Sequence, residues 1–482
     1  MILDRIRHWG QVRPDATAIV WNESSLSYER FGKAIAATRR FLASHALPES
    51  GTAIVLIPEL LDAWLSILAL RSLGLDTVAA ASVGMAAGLD VRDAVCLVLN
   101  EEQECDRQAV AAQFGGAAVI RVPRQLRQGD GPDGPVESAP RAGRHVLSTS
   151  GTTGQRKKVA LDSVTEDERN AGRARAYGYD RSTVFFGANF SLFTAVGYNM
   201  PSAVWHEGGT VVLDQRENIS GNLLAHPVTS LIMVPSLLRP LVASLPELPA
   251  PAREFELLVA GGFLPLELAE AAARKLTRAI GVFYASTELA AVTLRSRFTS
   301  VDDLVWLEPT GARQLQIVDE QGRVLPAGNE GELRIRTTPL DARAYLDDPE
   351  TSDKVFRDGF FHPGDMAVQR EDGRIRILGR TADVLNVQGF KRAVAPIEQR
   401  IREFLRVDEV CVFSGMDARG REELAVAVRT ERTISREELN AVAARLPQFR
   451  RIRFKVLADF PRDETGLGKT QRGLLRQMLF PS

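Results

Sequence analysis

The chain has 482 residues, 45% of them hydrophobic and 25% charged, a balance that suits a soluble globular protein and excludes a disordered or fibrous one. That length is too much for one core and asks for about two to four domains. Sixty Lys and Arg against 61 Asp and Glu leave a net charge of −1, which gives no electrostatic footprint for nucleic acid or an anionic membrane.

In chain order, Met1-Ile2-Leu3-Asp4-Arg5 lacks the apolar core of a signal peptide. The longest apolar stretch, 53–81, is broken by Glu59, Asp62, Arg71 and Asp76, so no membrane span is expected. Short apolar runs at 53–57, 95–99, 118–120, 231–234 and 257–260 read as buried strands, and 59–73, 106–114 and 266–278 carry helical spacing between them. Such alternation predicts a layered α/β architecture with mostly parallel sheet. Residues 128–144, rich in Gly and Pro, read as a surface excursion. From 305 to 380 the pattern changes to successive antiparallel strands at 305–307, 315–318, 333–336, 366–370 and 375–378, with a turn at Glu371-Asp372-Gly373. Past Gly379-Arg380-Thr381 the charge balance shifts. Residues 381–482 carry a net +5 against −6 for the rest, which fits either a basic lid over an anionic ligand or a chance asymmetry. Cys96, Cys105 and Cys411 are odd in number and scattered, which argues against a disulfide framework or a four-thiolate metal site and for a reducing cytoplasm.

The densest chemical signal is Ser148-Thr149-Ser150-Gly151-Thr152-Thr153-Gly154-Gln155-Arg156-Lys157. Glycines let backbone N–H groups turn toward phosphate oxygens, hydroxyls add donors, and lysine adds a point charge. This is not a Walker loop, because no Gly-Lys pair ends it and 158–161 reads as a strand. The one Gly-Lys-Thr, at 468–470, has Asp463 where the motif's first glycine belongs. Further along, Tyr284-Ala285-Ser286-Thr287-Glu288 ends an apolar run with an aromatic, hydroxyls and a carboxylate, which reads either as a helix N-cap with a first-turn acid or as a set suited to base, phosphate and metal. Gly261-Gly262 follows another buried run, Gly364-Asp365 by itself reads as a turn, and Lys469 sits in a loop with Gly466 and Gly468.

These segments, in this order, resemble the acyl-adenylate-forming superfamily of acyl- and aryl-CoA synthetases, peptide-synthetase adenylation domains and luciferases. The resemblance spans nearly the whole chain, beginning with Leu26-Ser27-Tyr28-Glu29. It implies a large multi-subdomain N-terminal adenylation core, 1–380, with a small β-barrel-like part, and a mobile α+β C-terminal lid, 381–482. The implied nucleotide-binding residues are Thr149, Ser150, Gly151, Thr152, Thr153, Gly154 and Lys157, with Gly261, Gly262 and Tyr284 beside adenine, Asp365 at the ribose, and Arg380 at the ribose or a phosphate. Thr287 would meet the α-phosphate, Glu288 would serve Mg²⁺, and Lys469 would bridge the substrate carboxylate and the α-phosphate. Gly389 would line a pantetheine tunnel. The cofactors implied are ATP and Mg²⁺, with coenzyme A or the phosphopantetheine of a separate acyl or peptidyl carrier protein as acceptor.

Some positions depart from the family pattern. Ala382 stands where an acidic hinge residue is usual, with Asp383 next to it, and Asn386 stands where lysine is frequent. Arg156 and Lys158 replace the Pro and Gly that usually flank the loop lysine. The segment matching the family's acyl pocket, 185–198, contains no acid to pair an α-ammonium, so a carboxylic acid without an α-amino group is expected. Asn189, Phe190, Thr194, Gly197 and Phe283, with Gly261, are the candidate pocket residues; the phenylalanines suit either a flat aromatic acid or core packing. Two rival expectations stand beside this one: an adenylate former that passes its acyl group to an amine or makes no thioester, and a catalytically weak nucleotide-binding protein.

Overall fold

The computed structural model describes the chain apart from residues 22–23, 105, 130–138, 140, 150–155, 189, 214–218, 246–253, 312, 382–383, 388–389, 417–421, 448, 450, 463–469 and 481–482. Two compact units emerge, Met1–Leu304 with Thr337–Phe356, and Val305–Arg336 with Arg357–Ser482. These units follow compactness, whereas the pivot expected near 381 concerns movement.

The first unit holds two sheets. One runs in the order Ala118–Val122, Ala94–Asn100, Thr52–Val55, Asp76–Ala79, His145–Thr149 and Lys157–Ala160, parallel except for the last pair. Its central strands read as unbroken apolar runs because both faces are covered. The helix Leu60–Ser72 beside it is mostly apolar and buried on every side, with Asp62 and Arg71 buried among the apolar side chains. The other sheet places Val184–Gly187, Ser230–Met233, Glu256–Val259 and Ile280–Tyr284 side by side and parallel. Thr210–Val212 and Thr17–Trp21 continue it on one side. The five strands and three helices expected from periodicity in this unit are present within a few residues of their predicted ends.

The excursion 128–144 is pinned at its far end. Arg144 is fixed to Asp76, and a side chain on Gly143 would run 1.8 Å from the Leu75 carbonyl oxygen, so only glycine fits there.

In the second unit, Leu315–Val318, Glu330–Arg336, Asp365–Gln369 and Ile375–Arg380 form an antiparallel sheet. The expected strand at 305–307 is reduced to a single bridge between Leu307 and Ile375. In the second sheet of this unit, Glu422–Arg429 lies between Glu409–Met416 and Ile452–Leu457. Its side chains alternate as a pleat requires. Leu424, Val426 and Val428 pack with Ile397, Ile401 and Leu405 of the helix Val394–Leu405. Ala425 and Ala427 face Leu475 and Leu479 of the helix Arg472–Leu479 on the other side. Cys96 and Cys411 are buried, and no helix among the described residues is long and apolar enough to cross a membrane.

Candidate active site

Four parallel strands of the first unit end together, and open parallel sheets bind ligands at that end. The chain leaves Glu256–Val259 through Gly261, whose φ of +76° disfavours any side chain, and a Cβ there would press on Val234 at 3.3 Å. Gly262 follows against Pro235. Tyr284 closes the adjacent strand. Gly261, Gly262 and Tyr284 are therefore neighbours because their strands are neighbours.

Glu288 lies just beyond, buried. Its Oε1 accepts a 2.6 Å hydrogen bond from the Tyr345 hydroxyl, and its Oε2 accepts one from Ser286. The loop carrying it is fastened to residues 338–345. The Ala342 N–H donates to the Glu288 carbonyl, and Asp341 accepts from the Ala290 N–H, the Thr338 N–H and the Thr338 hydroxyl. Thr287 is half-buried between the two anchored positions.

Lys157 comes to the same place from elsewhere in the chain. It opens the strand Lys157–Ala160, which pairs with His145–Thr149 in the register Thr149↔Lys157. Ser150, Gly151, Thr152, Thr153 and Gly154 lie outside the described residues. The Lys157 ammonium stands 4.9 Å from the centre of the Tyr345 ring, so Lys157 and Glu288 share that one side chain. Strand alternation turns Lys158 away. Its ammonium holds Asp347 at 2.6 Å and the Asp90 carbonyl at 2.8 Å, so its added charge serves a structural ion pair. Ser148, at the foot of the loop, keeps a buried hydroxyl with no hydrogen-bond partner.

Among the described residues no three His, Cys, Asp or Glu side chains gather to cage a metal. A single buried carboxylate beside a lysine and a phosphate-type loop fits Mg²⁺ that arrives on nucleotide phosphates, since that ion keeps waters and needs only one or two protein carboxylates.

In the second unit, Asp365 and Arg380 are cross-strand partners. The Arg380 Nε lies 3.3 Å from the buried Asp365 carboxylate, and its Nη1 donates to the Pro363 carbonyl. Lys469, Gly389, Ala382 and Asp383 lie outside the described residues.

The candidate pocket residues divide. Asn189 lies outside the described residues. Thr194 caps the helix Ala195–His206, accepting from the Gly197 N–H at 3.1 Å. Gly197 backs onto the preceding turn, where an added Cβ would sit 2.2 Å from the Ser191 carbonyl oxygen. Phe190 and Phe283 are both buried, and Phe283 packs edge-on to Tyr177 with centroids 6.0 Å apart.

The turn after Phe190 is tied to the loop strand. The Ser148 N–H donates to the Phe193 carbonyl at 2.9 Å, and His145 Nε2 meets the Leu192 carbonyl at 2.8 Å. His145 also stacks on Tyr198 and places Nδ1 2.9 Å from the Thr77 hydroxyl. Burial pushes its pKa down to about 3, so it is neutral in the fold. Unfolded, it would titrate near 6.5. Between those values the unfolded chain binds the extra proton, so stability rises with pH and is lost as pH falls below about 6.5. His145→Gln should remove up to about 1.4 kcal/mol per pH unit from that slope. Denaturant midpoints taken from pH 7 to pH 4.5 for both proteins check this, and parallel curves would refute it.

Sequence reasoning missed Tyr345 and Asp341. Neither stands in a recognisable donor cluster, and the contacts that tie them to the Glu288 loop, Tyr345 to Glu288 and Asp341 to Ala290, cross 57 and 51 residues of chain.

The sequence model of the AMP-binding enzyme family matches residues 6–346. Acyl-coenzyme A synthetase ACSM5, mitochondrial, of Mus musculus is 26% identical over 286 residues, 56% of this chain and 49% of its own. Tyrocidine synthase 3 of Brevibacillus parabrevis is 28% identical over 305 residues, 59% of this chain and 4% of its own. The chain thus spans about half the length of the first of these relatives and far less of the second. Two solved structures align along nearly the whole chain. One is the MenE O-succinylbenzoate coenzyme A synthetase of Bacillus subtilis with ATP and magnesium ion, with TM-score 0.84 and 20% identity over 98% of this chain and 99% of that one. The other is ATP-bound MatB of Rhodopseudomonas palustris, with TM-score 0.85 and 19% identity over 100% and 99%. At those identities the likeness establishes the adenylate-forming fold, with a large α/β part rich in parallel sheet and a smaller part of sheet and helices.

Proposed function

Because this chain belongs to the AMP-binding enzyme family, we propose that it uses ATP to activate a small carboxylic acid as an acyl-adenylate and then transfers the acyl group to the thiol of coenzyme A. The observation that carries the reading is the meeting of Glu288 and Lys157 at Tyr345, next to strands that end in Gly261, Gly262 and Tyr284. A carboxylate, an ammonium and glycine-bared backbone are what a metal-bearing nucleotide needs.

In this reading the loop 148–157 orients the phosphates, and Thr287 donates to the α-phosphate. Asp365 accepts from the ribose hydroxyls with Arg380 at its side. Glu288 would hold Mg²⁺, which when bound neutralises phosphate charge. The substrate carboxylate oxygen attacks the α-phosphorus, the bond to pyrophosphate breaks, and Lys469 offsets the charge that develops. The region 1–380 is the adenylation core, and 381–482 a lid that pivots about Ala382 and Asp383. The thiol then attacks the acyl carbon past Gly389 and AMP leaves.

The acid is aryl or otherwise lacks an α-amino group, because 185–198 supplies no carboxylate to pair an ammonium. Asn189, Phe190, Thr194, Gly197 and Phe283 bound its site. The match to tyrocidine synthase 3 over 59% of this chain favours one second reading, a separate carrier protein's phosphopantetheine as acceptor. We place the protein in the cytoplasm, on its scattered, odd-numbered cysteines.

ATP–pyrophosphate exchange with benzoates, cinnamates, fatty acids and free amino acids tests the first half-reaction, and exchange with a subset of the non-amino acids is expected. Exchange confined to amino acids would overturn the acid class, and exchange with nothing would overturn the activity. Mass spectrometry after adding coenzyme A or a phosphopantetheinylated carrier identifies the acceptor.

A further inference from the structure

The helix Glu166–Tyr177 turns a charged face inward. Glu166, Arg169, Asn170 and Arg173, spaced three, four and seven residues along, are each at least 94% buried. Arg71, 1% exposed, joins them from the helix Leu60–Ser72. Three guanidiniums therefore share one buried carboxylate.

Their partners are unequal. Arg71 is fully engaged, its Nε on the Gly143 carbonyl and its Nη1 on Glu166 and the Tyr198 hydroxyl. Arg169 donates only to neutral acceptors, the Thr165 hydroxyl and the Asp162 carbonyl. Arg173 has one long contact, 3.3 Å to Asn170 Oδ1; its Nη2 and the Asn170 Nδ2 are buried donors with no acceptor. Both residues line a small cavity, together with Arg71, Arg169, Glu166 and Tyr198.

An arginine cannot shed its proton to escape burial. Burial and then the neighbouring Arg169 still press the Arg173 pKa down to about 10. A buried charge without a counter-charge is strongly destabilising. Both donors and both surplus charges ask for an acceptor that carries negative charge. The cavity is small, about 20 Å³. That suits one small ion and not an acyl chain or a nucleotide.

We propose that this cavity binds one small inorganic monovalent anion of the size of chloride, held by Arg173 and Asn170 with the charge of Arg169 behind them. The anion would brace the helices Leu60–Ser72, Glu166–Tyr177 and Ala195–His206, which contribute Arg71, Arg173 and Tyr198 to the lining, against Leu147 of the strand that enters the phosphate loop.

The test is thermal unfolding of the full chain at fixed ionic strength, with sodium chloride exchanged stepwise for sodium gluconate, whose anion is too large to enter. The melting temperature should climb with chloride and then saturate, as linkage to one site requires. Arg173→Met should weaken the apparent chloride affinity by about tenfold or more. A melting temperature indifferent to the exchange, or an equal response in the variant, would overturn the proposal. Should Arg173→Met fail to fold, wild-type crystals grown in bromide decide. An anomalous peak in the cavity supports the site, and an ordered water in its place refutes it.

Discussion

Glu288→Gln is expected to lower kcat/KM for ATP-dependent pyrophosphate exchange by about 100- to 1000-fold, the scale seen when one preorganised electrostatic contact to a transition state is lost. The substitution keeps shape and removes charge. As a carboxylate, Glu288 only accepts, and it satisfies the Tyr345 and Ser286 hydroxyls at once. A glutamine would turn two donor hydrogens toward one of those hydroxyls and would offer a metal a far weaker ligand. The loss should therefore lessen at high magnesium concentration, and nucleotide binding measured without metal should change little. Tyr345→Phe leaves the charge in place and removes one charge-assisted hydrogen bond, so a smaller fall of about tenfold is expected. Exchange by Glu288→Gln at the wild-type rate in low magnesium would remove the carboxylate from the proposed chemistry.

Lys469→Ala is expected to abolish adenylation, by about 100-fold or more, while thioester formation from supplied acyl-adenylate continues nearly unchanged. The asymmetry follows from the proposed two-position lid. The lysine's charge offsets the charge that builds as pyrophosphate leaves, whereas the thiol step builds its charge on the acyl oxygen after the lid has turned. Gly389→Leu should do the converse, sparing pyrophosphate exchange and blocking thioester formation, because a side chain there would obstruct the thiol arm. Equal loss of both half-reactions in Lys469→Ala would contradict a lysine that serves only one of them.

The order of chemical segments was legible in the amino-acid sequence because each is local. Gly261-Gly262, Tyr284 and Glu288 lie at the ends of apolar runs that fold as parallel strands, and the strand periodicity alone puts them at one edge. Asp365 and Arg380 belong to one hairpin, so their meeting needed only the turn at Gly373, where φ is +88°. The hydroxyl-rich loop likewise announces its chemistry by composition.

What tertiary structure alone decided is which distant charges share a partner. Tyr345 joins Lys157 to Glu288 across more than 180 residues, and Lys158, one position away, goes to Asp347 instead because a strand sends neighbours to opposite faces. Gly197, a candidate pocket residue, backs so closely onto the Ser191 carbonyl that no side chain fits there. The helix Glu166–Tyr177 shows the cause most plainly. Its arginines and glutamate have the composition of a solvent-facing helix, and hydrophobic periodicity reports burial only where the buried side chains are apolar. A face buried by charge pairing with Arg71, which lies almost 100 residues earlier, leaves no periodic trace in the chain, so its cavity appears only once the helices are packed.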